Sequence, residues 1–141
     1  MTTLVFGHKN PDTDSVCAAI ALTDLKKKLG EDIAPAVQGE LNPESKFVLD
    51  KFGVAAPAVV TSYAGKDVYL VDHSDLAQSP DDLKEANILG IVDHHKLGDV
   101  TTGQPLECWI WPVGCTCTVI SRMYKYLGVE IPKDVAGIML C

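Results

Sequence analysis

Residues 3–30 read TLVFGHKNPDTDSVCAAIALTDLKKKLG, and this stretch decides the fold predicted for the whole chain. The apolar run TLVF is typical of a buried strand, and it is followed by a polar loop. The next segment has helical periodicity, with Ala18, Leu22, Leu25 and Leu29 on one face. Gly30 suits the cap after the last turn, where three lysines also favour the negative end of the helix dipole. The stretch therefore predicts a strand, a loop and a helix.

The same alternation continues along the chain. IAPAVQG predicts a second strand, and PESKFVLDKFG predicts a helix with Pro43 in its first turn and Gly53 after its end. Residues 58–61 form a short apolar piece. Further strands are predicted in DVYLVDHSD, ILGIVDHHK and LECWIWP; further helices are predicted in SPDDLKEAN, CTCTVISRMYKYLG and IPKDVAGIMLC. This order predicts one α/β domain over residues 1–141, with a Rossmann-like, doubly wound, mainly parallel sheet and helices on both faces.

Composition excludes several classes of protein. The 141 residues are 47% hydrophobic and 22% charged, as expected for one domain with a modest core. Lys and Arg number 12 against 19 Asp and Glu, and the net charge of -7 disfavours a nucleic-acid partner. The chain begins without a signal-peptide pattern and has no membrane-spanning run, so we expect a cytoplasmic protein without a membrane partner. The five cysteines are odd in number and are expected to stay reduced.

Clusters of histidine and aspartate follow three of the predicted strands. In a parallel sheet, ligands bind in the crevice beyond the carboxyl ends of the strands. A single such cluster is more often a turn, a helix cap or a surface histidine than a binding site. Three clusters at equivalent strand ends instead predict one shared site. They are His8, Asp12 and Asp14; Asp72, His73 and Asp75; and Asp93, His94 and His95.

The residue types in these clusters suit divalent cations. Imidazole and carboxylate ligands without thiolates favour manganese, magnesium, cobalt or iron over a structural zinc site. An aspartate can bridge two cations, and two metals about 3.5–4 Å apart can activate a water and neutralise a phosphoryl group. Backbone amides at the start of the helix near Ser15 would add affinity for an anion. The pattern therefore suits phosphoryl transfer.

Three motifs together resemble a known family. GHKNPDTDS, VDHSD and VDHHK are similar to the first three motifs of the DHH phosphoesterase superfamily. The NPDTDS form most resembles the manganese-dependent family II inorganic pyrophosphatases, and the likeness runs from residue 3 to the end of the chain. The resemblance implies an inorganic diphosphatase that hydrolyses pyrophosphate to two phosphates with two divalent cations. Manganese is the expected metal, with cobalt or magnesium as alternatives.

The resemblance also implies a ligand set. His8 and Asp12 would bind one metal, and Asp14 and His94 would bind the other. Asp72 would bridge the two.

Substrate contacts are implied in the same way. His95 would contact the substrate phosphate and stabilise or protonate the leaving group, while Asp93 would orient the histidines. Lys9 and Lys96 could face phosphate oxygens, although a solvated surface lysine is the more common role. His73 and Asp75 are expected to have only a local structural role.

The family has features that this sequence does not contain. The resemblance implies a fourth ligand aspartate shortly after the segment GIMLC, and a second domain whose lysine and arginine residues grip the far phosphate. An apolar helical pattern runs up to Cys141 without a stop signal. We therefore expect a catalytic domain that is truncated at its C-terminus, lacks the substrate-clamping domain and has weak or no activity alone. Pairing through this domain, which is common in the family, implies a homodimer.

Two other functions remain open. The chain could belong to another DHH phosphoesterase that acts on short oligonucleotides, cyclic dinucleotides or polyphosphate, with specificity supplied by another domain. It could also be a non-catalytic domain that binds metal or forms a dimer. Preference for a dinucleotide over pyrophosphate would favour the first alternative, and metal binding that does not depend on Asp72 would contradict the bridging role.

Overall fold

A computed structural model describes residues 2–140, and Cys141 therefore lies outside the described residues. Among residues 2–140, no disulfide bond forms at Cys17, Cys108, Cys115 or Cys117. Two short 3-10 turns occur at Leu76–Gln78 and Leu83–Glu85. The strands are β1 (Thr3–Phe6), β2 (Ile33–Val37), β3 (Ala58–Val59), β4 (Asp67–Val71), β5 (Asn87–Asp93) and β6 (Glu107–Ile110); the helices are α1 (Thr13–Lys28), α2 (Pro43–Lys51), α3 (Thr116–Leu127) and α4 (Lys133–Met139).

The strands form one sheet in the order β3-β2-β1-β4-β5-β6, and every pairing is parallel. The order runs outward from β1 in both directions, so the direction in which strands are added to the sheet reverses between β1 and β4. Parallel strands with helical crossovers confirm the predicted α/β class. The reversal places the loops after β1 and β4 side by side, which is the position at which such sheets bind ligands.

The two faces of the sheet are covered differently from the prediction. All four described helices contribute to one hydrophobic cluster on the same face as Val5, Tyr69 and Val71. The opposite face carries a second cluster that includes Phe6, Leu70, Tyr63 and Leu83. The latter two come from a loop and a 3-10 turn. Both faces are covered, but within residues 2–140 the α-helices cover only one of them.

The predicted helix in SPDDLKEAN is wrong, because only the 3-10 turn Leu83–Glu85 forms there. The Asp82 carboxylate accepts hydrogen bonds from the backbone N–H groups of Tyr63 and Ala64 and from the Ser62 hydroxyl. These contacts tie the segment to the loop before β4, while Leu83 is buried in the sheet face beneath it. Tertiary contacts therefore override the helical propensity of a short segment.

The predicted apolar face of α1 is only partly correct. Leu29 lies at the C-cap and is 43% exposed, whereas Ala18, Leu22 and Leu25 are fully buried. α1 is buried around most of its circumference because it packs against strands and against α2, α3 and α4. A helix in this position is apolar all round rather than on one stripe. α1 is thus the central helix that supports the sheet edge.

The strand ends are aligned at one level. Phe6 pairs with Leu70, and Val71 pairs with Val92, so β1, β4 and β5 end beside one another. The polar residues after these strands consequently enter the same crevice. Among residues 2–140, no helix is long and apolar enough to cross a membrane.

Candidate metal centre

The three polar clusters meet in one crevice at the carboxyl edge of the sheet. The crevice has a volume of about 700 Å³. His8, Asp12 and Asp72 each have one potential metal-ligand atom, and these three atoms lie within 4.8 Å of one another. The same is true of Asp72, Asp93, His94 and His95. Asp72 belongs to both groups. The residues predicted as ligands therefore lie together and line the crevice. They are His8, Asp12, Asp14, Asp72 and His94.

Asp72 lies at the centre of the site with its two oxygens facing different residues. Its Oδ2 is 3.2 Å from His8 Nε2, and its Oδ1 is 3.0 Å from His94 Nε2. The residue is 2% exposed and has a φ of 63°. A positive φ is uncommon outside glycine, and such conformations cluster at functional sites. This backbone turn directs the carboxylate between the two histidines.

Two hydroxyl groups orient the Asp72 carboxylate. Ser15 Oγ donates to Oδ2 at 2.9 Å, and Thr116 Oγ1 donates to Oδ1 at 3.2 Å. Burial opposes ionisation, but the hydrogen bonds from His8 and Ser15 outweigh it and hold the pKa of Asp72 well below its usual range. The carboxylate is thus ionised and fixed in place.

His8 and Asp12 form one side of the site. His8 Nε2 is 3.5 Å from Asp12 Oδ1, while its Nδ1 is 2.6 Å from the carbonyl of Lys9. Since a carbonyl only accepts, Nδ1 carries the hydrogen, and in the neutral ring Nε2 is free to bind a metal. Hydrogen bonds to Asp12 and then Asp72 raise the pKa of His8 to about 10, so without a metal the ring is protonated on both nitrogens, and a cation would replace the proton on Nε2. Asp12 also caps α1 by accepting from Ser15 N.

His94 and Asp14 form the other side. His94 Nε2 is 3.5 Å from Asp14 Oδ2, and its Nδ1 lies 3.0 Å from the Val113 carbonyl. Nδ1 therefore carries the hydrogen here as well. The Asp14 carboxylate accepts from the N–H groups of Thr116 and Cys117 at the start of α3. Burial and then the charge of Asp72 raise the pKa of Asp14 to about 6.

Asp93 organises the turn that carries both histidines. Its Oδ1 accepts from the backbone N–H groups of His94 and His95 at 2.7 and 3.2 Å, and from His95 Nδ1 at 2.8 Å. His95 is half exposed, so its Nε2 is left for a group in the crevice. Within the described part of the chain, the buried Asp93 Oδ2 has no hydrogen-bond partner.

The residues fit a pair of divalent cations. Two atoms that coordinate one ion at right angles, each about 2.1 Å from it, lie about 3 Å apart. The separations of 3.2 and 3.0 Å from Asp72 to the two histidines match that spacing. Each imidazole has its Nδ1 held by a carbonyl, which is the usual support for a ligand histidine. Several carboxylates converge here, and their mutual repulsion favours the binding of cations.

Four other predicted residues lie around this centre. Lys96 is on the exposed rim of the crevice, and Lys9 forms an exposed ion pair with Asp81. His73 is buried against Phe6 and donates from Nδ1 to the Val71 carbonyl, while its Nε2 has no partner among residues 2–140. Burial lowers the pKa of His73, so the ring is neutral. Asp75 begins the first 3-10 turn.

The start of α3 contributes to the site, and this contribution was not predicted from the sequence. CTCT was interpreted only as the beginning of an amphipathic helix, yet Thr116 contacts Asp72 through its hydroxyl and Asp14 through its N–H. Small polar residues at a helix start are a signal for capping and for anion contacts. That signal does not show which distant carboxylate the helix will meet.

Comparison with known proteins agrees with this geometry. The DHH family, N-terminal domain, matches residues 2–141. The chain is 53% identical to a probable manganese-dependent inorganic pyrophosphatase of Archaeoglobus fulgidus, with 96% of this chain and 46% of the relative covered. It is 48% identical to a manganese-dependent inorganic pyrophosphatase of Methanothrix thermoacetophila, with 96% and 44% covered. The chain thus spans about half the length of these relatives.

A solved structure gives the same result. The putative family II inorganic pyrophosphatase of Methanococcus jannaschii superposes with a TM-score of 0.90 at 44% identity, covering 99% of this chain and 46% of that protein. An exopolyphosphatase-related protein of Bacteroides fragilis shares the fold, with a TM-score of 0.76 at 14% identity. With its three motifs at one sheet edge, this chain belongs to the DHH family and corresponds to the N-terminal domain of that family.

Proposed function

We propose that this chain is the metal-binding catalytic domain of a manganese-dependent inorganic pyrophosphatase, which hydrolyses pyrophosphate to two phosphates. The observation that carries the proposal is the Asp72 carboxylate, whose two oxygens face His8 and His94 separately. The names of the relatives at 53% and 48% identity support manganese and pyrophosphate.

The proposed ligands divide into two sets around Asp72. Together with Asp72, His8 and Asp12 would hold one cation, and Asp14 and His94 would hold the other. When bound, two such cations supply Lewis acidity, which neutralises phosphoryl charge and makes a water more acidic. The chain itself holds the ligands in place through Ser15, Thr116 and the start of α3.

His95 is proposed as the catalytic acid. Its Nδ1–H donates to Asp93, which directs Nε2 toward the crevice. The protonated ring would donate from Nε2 to the leaving phosphate, and the neutral ring would then regain a proton from solvent. Lys96 on the rim would attract the anion.

We also propose a second domain, a homodimer and a cytoplasmic location. The relatives are about twice as long as this chain, which supports a second domain that supplies the remaining ligand and the cationic clamp. A homodimer is supported by β6 at the edge of the sheet and by the exposed aromatic rings of Trp111 and Tyr126 nearby. The absence of disulfide bonds among the described cysteines supports a reducing location such as the cytoplasm.

Phosphate release tests the proposal. We expect weak, manganese-dependent release from pyrophosphate and less from a dinucleotide or tripolyphosphate. His95→Gln should abolish release while leaving manganese affinity unchanged, because the ring lies outside the proposed ligand set. Calorimetry should also show pyrophosphate binding to the chain in the presence of manganese. Faster hydrolysis of the dinucleotide, or pyrophosphate binding that does not require manganese, would refute the proposed activity.

A further inference from the structure

We infer that Gln38 is a positioning residue that sets the separation between the loop carrying His8 and the loop that follows Asp72. It would thereby control metal affinity on the His8 side of the centre. The inference rests on the proposed metal site, but it concerns a residue outside the three motifs.

The carboxamide of Gln38 joins these two loops directly. Its Nε2 donates to the Gly7 carbonyl at 2.8 Å and to the Gln78 carbonyl at 2.9 Å. Gly7 immediately precedes His8, and Gln78 ends the first 3-10 turn after Asp72. The Gln78 carbonyl also accepts from the backbone N–H of Lys9 at 2.9 Å. The residues on both sides of His8 are thus tied to the segment that follows Asp72.

The chemistry of this junction requires a neutral group with two donors. Both partners are carbonyl oxygens, which only accept, so the amide nitrogen of Gln38 must face them. Glutamate in the same position would place a carboxylate oxygen against two carbonyls and would repel them. Methionine has a similar length but no donor. Glutamine is therefore suited to the junction by its two N–H donors rather than by its size.

The loop after β1 depends on such contacts. Asn10 has a φ of 53°, and a side chain at Gly7 would collide with Ser15. Strained or crowded backbone persists only where surrounding contacts determine it. Loss of the Gln38 bonds should therefore let His8 and Asp12 move away from Asp72. His94 is held separately through Val113 and should not move.

Gln38 can be replaced without opening the core. It follows the last residue of β2 and lines a second crevice, of about 340 Å³, together with Lys9 and Asp81. The side chain is half buried. A substitution with similar volume should therefore leave the hydrophobic clusters intact.

Calorimetric titration with manganese tests the inference on the chain as it stands. Gln38→Met and Gln38→Glu should each weaken one of two binding steps by about tenfold, as expected for two lost hydrogen bonds. The weakened step should be the one that Asp12→Asn also weakens. Gln104→Met, the same chemical change at an exposed position, is the matched control and should change neither step.

A second readout separates positioning from a purely structural role. Unfolding in the presence of a chelator reports stability alone, whereas electron paramagnetic resonance reports coupling between two bound manganese ions. We expect the coupled signal to weaken in Gln38→Met even at temperatures where the variant is fully folded. Unchanged binding steps, or equal weakening of both, would overturn the inference. So would a wild-type chain that does not bind manganese.

Turnover is not needed for this test. A wild-type chain that binds two manganese ions but hydrolyses a dinucleotide faster than pyrophosphate would refute the proposed activity. The comparison of Gln38 variants would still decide the positioning role, because its readout is metal binding.

Discussion

Asp72 combines a buried carboxylate with a left-handed backbone. Its φ of 63° turns the chain directly after β4, and each oxygen faces a different histidine. Asparagine and aspartate tolerate this backbone region better than other non-glycine residues. Asparagine is therefore a better probe than alanine, since alanine would add backbone strain to the loss of the charge.

Replacing Asp72 by asparagine should weaken both manganese-binding steps. Asparagine retains the shape and the backbone preference but removes the negative charge and one of the two acceptor oxygens. Changes to groups that only support a metal ligand already cost about 10–100-fold in affinity, so we expect a loss of about 100-fold or more. Calorimetric titration of the folded variant measures the loss.

Asp67→Asn is the matched control. Asp67 begins β4 at the opposite end of the strand, where it accepts from the Asn87 side chain. This variant should bind manganese like the wild type. Equal affinities for Asp72→Asn and Asp67→Asn would refute the bridging role of Asp72.

The site depends on close packing between the end of β1 and the start of α1. A Cβ added at Gly7 would lie 2.6 Å from the Ser15 side chain, which donates to Asp72. Gly7→Ala should therefore push the start of α1 away from the strand end. We expect overpacking to lower the free energy of unfolding by about 1–3 kcal/mol and to weaken manganese binding. Urea unfolding and calorimetry would measure the two effects.

Gly103→Ala provides the comparison. Apart from Gly103 and its two chain neighbours, no heavy atom of residues 2–140 lies within 4 Å of a Cβ built at Gly103, so the added methyl group should be tolerated. If Gly7→Ala were as stable as Gly103→Ala and bound manganese as tightly, close packing of β1 on α1 would not be required.

An ion pair joins α1 to the edge strand β6. Lys26 Nζ is 2.6 Å from Glu107 Oε1, and Lys26 is 5% exposed. Burial opposes ionisation of Glu107, but the hydrogen bonds from Lys26 and Trp109 outweigh it and lower its pKa. A carboxyl with a lowered folded-state pKa stabilises the fold above its unfolded pKa of about 4.5. That stabilisation disappears as the pH falls through the folded-state value.

The difference in unfolding free energy between Glu107→Gln and the wild type should therefore depend on pH. At neutral pH the variant should lose about 1–3 kcal/mol of unfolding free energy, because a hydrogen bond to a charged, buried Lys26 is replaced by a weaker one. Below pH 4.5 the difference from wild type should shrink. Urea unfolding across this range measures it. Glu85→Gln, at an exposed site, should show no such trend, and a difference that grew on acidification would contradict the prediction.

At the scale of the whole molecule, metal binding should stabilise the fold. The net charge is -7, and Asp12, Asp14, Asp72 and Asp93 all lie at the sheet edge. A ligand that binds only the folded state at 100 times its Kd adds about 2.7 kcal/mol to stability. We therefore expect saturating manganese to raise the unfolding temperature, and a chelator to reverse the rise.

The Asp72→Asn variant is the control for this shift. Its unfolding temperature should rise much less than that of the wild type at the same manganese concentration. Calcium, which prefers more oxygen ligands at longer distances, should stabilise the wild type less. An equal rise for both proteins would show that manganese acts outside the candidate metal centre.

Local sequence signals predicted most of the elements correctly. Pro43 lies in the first turn of α2 and Gly53 follows its end, as predicted. Gly128, with a φ of 70°, ends α3, also as predicted. The residues of the three motifs were also identifiable, because histidine and aspartate recur at strand ends. The 3-10 turn at Leu83 and the exposed Leu29 were not identifiable, since distant hydrogen bonds and neighbouring helices decide them.

The sequence by itself determined the α/β class, the positions of the strand ends and the chemistry of the residues placed there. Those properties depend on local periodicity and side-chain type, which lie within a few residues of each other. Only the tertiary structure decided that α3 binds Asp14, that Gln38 joins two loops and that Asp72 faces both histidines. These contacts connect segments far apart in the chain, and their geometry follows from strand order and helix packing.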